Sequence, residues 1–224
     1  MCVDRAQRSV GARLDLPSAY DKGMADMVGE VRTELERRLR DEHAHGRMAS
    51  AATIAIREYG AEVLGFLVAV LRSNEDAAEV FAQFCEDLWS GLPRFRWDSS
   101  LRTWAYTLAR HAACAFRRDP HRRRRVGLSE HPEVAELEAH VRTATVTWLC
   151  SDVKHRVQRL RESLEPEDQT LLILRVDRQM SWNDVAMVMR GENERSDEDV
   201  SRRAAVLRKR FERVKERLRA LATS

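Results

Sequence analysis

The sequence predicts an all-α protein of two small helical domains joined by a flexible basic linker. Apolar residues recur at spacings of three and four along most of the chain. No stretch shows the period-two alternation of a half-buried strand. The basic run Arg117–Arg125, broken by Pro120, separates two such helical blocks. With 224 residues the chain can hold one or two domains, each with its own core.

Residues 1–20 have little periodicity, with Pro17 as a breaker, and read as a mobile start. From about Asp21 to Arg40, Met24, Met27, Val28, Val31, Leu35 and Leu39 mark an amphipathic helix. Asp41-Glu42-His43-Ala44-His45 has metal-ligating residue types, but a helix end with solvated polar side chains is the preferred reading. A second helix covers about Ala49–Leu71, with Ile56, Tyr59, Val63, Phe66, Leu67 and Val70 on a broad apolar face. Ser73-Asn74 breaks it and caps a third helix, about Glu75–Ser90, which Gly91-Leu92-Pro93 ends. A fourth runs from about Leu101 to Arg118.

The second block begins near Trp148, with Val153, Val157, Leu160 and Leu164 on one helical face. Pro166 marks a new N-terminus, followed by Leu171, Leu172, Leu174 and Val176. Ser181 caps Trp182–Met189, with Asp184 as capping-box partner and Gly191 as the C-terminal stop. Ser196 and Asp199 form the same pattern ahead of the last helix, about Asp197–Ala222, the most basic element of the chain. Two helices, a turn and a basic helix outline a helix-turn-helix.

Charged residues make up 33% of the chain but the net charge is only +3, so a polyanionic partner has to be argued from where the cations sit. Cys2, Cys85, Cys114 and Cys150 are widely spaced with no CxxC, which predicts reduced thiols, no zinc and a cytoplasmic setting. No apolar run approaches the ~20 residues of a membrane span. The N-terminus, with Asp4, Arg5 and Arg8, does not read as a signal peptide. No catalytic triad, carboxylate pair, nucleotide loop or metal-ligand spacing can be placed, so neither an enzyme nor a cofactor is expected.

One segment stands apart. From Arg94 to Tyr106 four aromatics alternate with three arginines and small hydroxyl residues. Arginines neutralise phosphates and aromatic faces accept unstacked bases. The alternative is that Phe95 and Trp104 anchor a helix–loop–helix corner and the arginines are solvated.

Phe95-Arg96-Trp97-Asp98-Ser99-Ser100-Leu101-Arg102-Thr103-Trp104-Ala105-Tyr106 resembles the FRGDSSFRTWLY signature of the extracytoplasmic-function (ECF) sigma factors, two-domain members of the sigma-70 family. Ala78–Gln83, ending at Leu88-Trp89, is similar to the helix AEDLVQETFLRLW. Leu164–Arg175 resembles LPERQREVLLLR, Met180–Ala186 resembles LSYEEIA, and Leu207–Leu218 resembles VKSRLHRARERL. The resemblance covers most of residues 50–118 and 150–222, in the family's order.

It implies a sigma region 2 bundle at 47–119, a linker at 120–147 and a sigma region 4 helix-turn-helix at 148–224, preceded by an extension of unknown role at 1–46. Core RNA polymerase and promoter DNA are the implied partners, with no membrane. An anti-sigma factor is expected from the family, and no residue here identifies one. Glu79 and Gln83 match the clamp-docking helix, where charge-assisted contacts form. Phe95, Arg96, Trp97, Asp98, Ser99 and Ser100 match the loop that captures a flipped base of the −10 element. Extruding a base costs a few kcal/mol, which a pocket with a stacking face offsets. Arg102, Trp104, Arg110, His111, Arg117 and Arg118 continue that site; for the body of Trp104, packing is preferred over strand separation. Trp97 departs from the family's glycine, and His111 from its asparagine. Arg203, Arg208, Lys209, Arg210 and Arg213 match the −35 reading face, where arginine recognises guanine and its neighbours fix register on phosphates. Phe211, Val214 and Leu218 are expected to face the core. The turn at 191–199 is longer than the family's, so either the recognition helix is extended or a short loop precedes it. A stand-alone helix-turn-helix regulator is the alternative, but it leaves the aromatic segment without a role.

Overall fold

The computed structural model describes residues 19–118, 132–146, 163–190 and 197–223. The secondary structure found among them is helical: α1 (Ala19–Ala44), α2 (Met48–Leu71), α3 (Asn74–Gly91), α4 (Leu101–Arg118), α5 (Pro132–Val146), α6 (Pro166–Leu172), α7 (Trp182–Val188) and α8 (Asp197–Thr223). The chain falls into two compact units that divide within α1, between Arg38 and Leu39. In the first, Arg37 and Glu34 pair on the helix surface, and Val31 is exposed although its spacing suggested an apolar face.

In the second unit α2 is the central helix, packed by α3, α4 and α5. It is the most apolar helix of the bundle, and Ala51, Ala52, Ala55, Gly60, Val63, Phe66 and Leu67 are buried along it. Phe66 meets Tyr106 of α4 edge-on at 5.4 Å, and Phe81 stacks on Phe84 within α3. Arg72 ends α2 in the left-handed conformation, donating its N–H to Val68 O. Ser73 Oγ then accepts from Asp76 N at 3.1 Å, which is the expected cap of α3.

Residues 120–147 were expected to be linker, but α5 occupies Pro132–Val146 within them. Val134, Leu137 and Val141 form a stripe at i, i+3, i+7, and all three are buried in a helix that packs on α2 and α3. The basic residues 119–125, and the segment 148–162 expected to open the second domain, lie outside the described residues, except for Leu164 just beyond, which is buried.

α6 starts at Pro166, the predicted position, and closes in a wide π turn at Ile173–Asp177. Arg178 N donates to Ile173 O and Met180 N to Leu174 O, which brings the chain round into α7. Ser181 caps α7 as predicted, accepting from Asp184 N at 3.1 Å. α8 is one continuous helix from Asp197, the start expected from the cap pattern, and residues 191–196 of the longer turn lie outside the described residues. Ala204, Leu207, Phe211 and Val214 form its buried stripe; Leu218, also expected to face the core, is half-buried.

Candidate nucleic-acid interface

A short 3₁₀ turn, Leu92–Arg94, leads from α3 into the aromatic segment. Phe95 stacks on Trp104 with ring centroids 4.7 Å apart and planes 25° from parallel. Trp104 in turn lies against Gly91, where an added Cβ would come within 3.1 Å of its ring and press on it. Trp97 completes the cluster, 4.9 Å from Phe95. All three rings are half-buried. The two readings of the segment are therefore compatible, since the rings pack on one another at the surface of the bundle.

Trp97 has φ +62°, the left-handed region that L side chains rarely occupy. A glycine adopts it freely, and the indole adopts it here because its neighbours hold the ring. Arg40 lies 4.8 Å over the indole and His43 meets it edge-on at 5.6 Å. Arg96 and Asp98 are exposed beside it. Ser99 Oγ donates to Ser100 O, and Ser100 Oγ accepts from Thr103 N at 3.0 Å, capping α4.

Along α4 the expected contact residues divide. His111 and Arg118 are exposed. Arg102 is buried, at 8% exposure, its guanidinium held by Glu62 of α2 at 2.7 and 2.9 Å. Burial opposes its charge, but the Glu62 carboxylate outweighs that and holds the pKa above the ordinary arginine value. It also donates to Arg178 O beyond α6. Arg110 pairs with Glu167 of α6 at 2.9 Å, and Arg117 donates to Val70 O. Arg102, Arg110 and Arg117, all expected along the −10 site, are thus each engaged within the fold. The acidic partners that do this are 40 and 57 residues away along the chain, beyond any local pattern.

On α8, Arg208, Lys209 and Arg213 are exposed, whereas Arg210 pairs with Asp168 of α6 and Arg203 is half-buried. Next to Arg208 is a shallow groove of about 330 Å³, lined also by Arg175, Ser181, Trp182 and Asn183. Arg175 and Arg208 lie over the Trp182 ring at 4.9 and 5.8 Å, and Phe211 meets it edge-on. Two cations with hydroxyl and amide groups suit a DNA backbone. Sequence reading missed Arg175 and Trp182 as site residues. Their signal was present, since both fall within the segments resembling LPERQREVLLLR and LSYEEIA. On α3, Gln83 is exposed and bonded to Asp87, and Glu79 is half-buried. The cluster at Asp41–His45 is tied into ion pairs with Arg47, and among the described residues no group of three or more acidic, histidine or cysteine side chains is placed to hold a metal.

The model of sigma-70 region 2 matches residues 55–124, from within α2 to past the end of α4. Residues 55–124 thus carry a sigma-70 region 2 domain. The RNA polymerase sigma factor YlaC of Bacillus subtilis (strain 168) is 29% identical over 139 residues, covering 59% of this chain and 76% of that protein. Together these support an ECF-type member of the sigma-70 family. No solved structure matches it. The aromatic cluster and α4 fall inside the region 2 match, whereas Arg40 and His43 precede it.

Proposed function

We propose that this sigma-70 member selects promoters with two surfaces, the aromatic tip for the −10 element and the exposed face of α8 for the −35 element. As a sigma factor it acts in promoter-specific initiation of transcription by RNA polymerase, a non-enzymatic role. The observation that carries the finer reading is the Phe95–Trp97–Trp104 cluster, flanked by the exposed Arg94 and Arg96. Half-buried rings offer a face to an unpaired base, and adjacent guanidinium groups neutralise its phosphates. Arg208, Lys209 and Arg213 serve the duplex element, with Arg175 and Trp182 alongside. Glu79 and Gln83 on α3 dock on the polymerase clamp, and the cytoplasm, where that enzyme works, is where we place the protein. No helix among the described residues is long and apolar enough to cross a membrane.

Run-off transcription with core polymerase on genomic promoter fragments tests this. A defined transcript that requires the chain is expected; none from any fragment overturns it. Gel shifts with the free chain address the stand-alone regulator, which alone would bind duplex promoter tightly without polymerase.

A further inference from the structure

The end of α1 lies outside the region 2 match, yet it is built into the aromatic tip. Leu39 is fully buried and sets the rotation of the helix end. One residue on, Arg40 stacks over Trp97; four residues on, His43 meets the same indole, and its Nε2 is 3.0 Å from Leu92 O. Three carboxylates flanking Arg40 have other partners. Glu34 pairs with Arg37, and Asp41 and Glu42 pair with Arg47. Arg40 is exposed and has no acidic partner among the described residues. Its guanidinium is stacked by one face on the indole, which leaves its edge N–H donors available. Arg94 and Arg96, on either side of Phe95, are likewise exposed with no acidic partner among the described residues.

A tryptophan held in a left-handed backbone conformation by side chains of another helix is strain that the surroundings maintain. Glycine at 97 would leave the loop free and Arg40 without its stacking surface. We propose that Arg40 is a DNA-contacting residue of the −10 site, with Trp97 and His43 as the positioning residues that aim it. The ligand is a phosphate of the unpaired promoter strand, next to the base taken up by the 95–100 loop. The inference rests on the promoter-reading function proposed above and adds α1 to the reading surface. Trp97 is then the residue through which a helix outside the matched region joins the site.

The test uses holoenzyme assembled from core polymerase and the full chain, with a fork-junction DNA built on a promoter obtained by run-off transcription. Arg40→Ala is expected to weaken fork-junction binding about five- to tenfold at low salt. It should also flatten the slope of log affinity against log salt by about 0.7, the value for one phosphate contact on a single strand. Arg40→Lys restores most of the slope. Trp97→Gly has an effect like Arg40→Ala, while Trp97→Phe keeps a ring under the guanidinium and loses less. Binding of each variant to core polymerase, measured by competition, stays at the wild-type value. An Arg40→Ala holoenzyme with wild-type affinity and salt slope overturns this inference and leaves the sigma-factor reading standing. Wild-type chain that directs no promoter-specific transcript overturns both.

Discussion

Arg102 and Tyr106, one helical turn apart on α4, are the residues whose burial has the clearest energetic consequence. Glu62 holds the Arg102 guanidinium by two hydrogen bonds, and that guanidinium lies 5.4 Å over the Tyr106 ring. Arg102→Ala would strand the Glu62 carboxylate. Because Glu62 keeps about a fifth of its side chain exposed, the expected loss is about 2 to 3 kcal/mol, below that for a fully buried pair. Urea unfolding followed by circular dichroism measures it. The Tyr106 hydroxyl is buried with no well-formed hydrogen bond among the described residues, although the Glu62 carboxylate lies close enough to raise its pKa. Removing it in Tyr106→Phe is expected to leave stability at neutral pH unchanged or raise it by up to about 1 kcal/mol. Burial pushes the Tyr106 hydroxyl well above its ordinary value of 10.0, with Glu62 adding to the rise and Arg178 and Arg102 opposing it. A folded-state pKa above the unfolded one means that the contribution is fully present below pH 10.0 and falls as the pH climbs towards the folded value. Tyr106→Phe should therefore flatten the alkaline limb of the stability profile above pH 10.0; an unchanged limb would place the effect elsewhere.

Among the elements, α5 divides what the sequence made legible from what it did not. α2, α3 and α4 have long apolar faces with breakers or caps at their ends, and their observed bounds fall within about two residues of the expected ones. Among its described side chains α5 puts only Val134, Leu137 and Val141 in the core, between Glu133, Glu136, Glu138 and His140. Three apolar residues in a polar stretch are a weak signal without the surface that receives them. The π turn was equally hidden, because it depends on a change of backbone register and not on composition. At the aromatic tip the residue types and their order were legible, and Phe95, Trp97 and Trp104 do come together. The bracing by Arg40 and His43 was not, because it joins residues some fifty positions apart. The packing of α5 on α2 can be probed at Gly60, where an added Cβ would lie 3.1 Å from both Val141 methyl carbons and 3.3 Å from Phe81. Gly60→Ala raises helix propensity, but the overpacking is expected to prevail with a net loss of about 1 to 2 kcal/mol. Adding Val141→Ala should relieve part of it. A double-mutant cycle by thermal unfolding reads the coupling, and strict additivity would mean that α5 does not press on Gly60.

At the level of the whole second unit, the helix-turn-helix elements pack against the bundle they were expected to hang from. α7 contacts α4, and α6 contacts α2. Thr103 donates to Asp184 at 2.9 Å, Arg110 pairs with Glu167, Gln169 donates to Ala69 O, and Arg72 donates to Gln169. Gln169 and Thr103 are buried in this arrangement. These contacts are polar and directional, of the kind that can separate at modest cost. They also occupy Arg110, one of the residues expected along the −10 site, while Arg102 is held chiefly by Glu62 of α2. Glu167→Lys sets a cation against Arg110, and Asp184→Ala removes the acceptor of Thr103. The double variant is expected to hold its helical content while its radius of gyration in small-angle X-ray scattering increases and trypsin cleaves between α5 and α6 faster. Its affinity for a single-stranded promoter oligonucleotide, measured on the free chain by fluorescence anisotropy, should rise severalfold, because α4 is then uncovered. If the protein expands while that affinity stays at the wild-type value, the docked elements do not mask the strand-reading surface; if it does not expand, other contacts between α2 and α6 hold the unit closed.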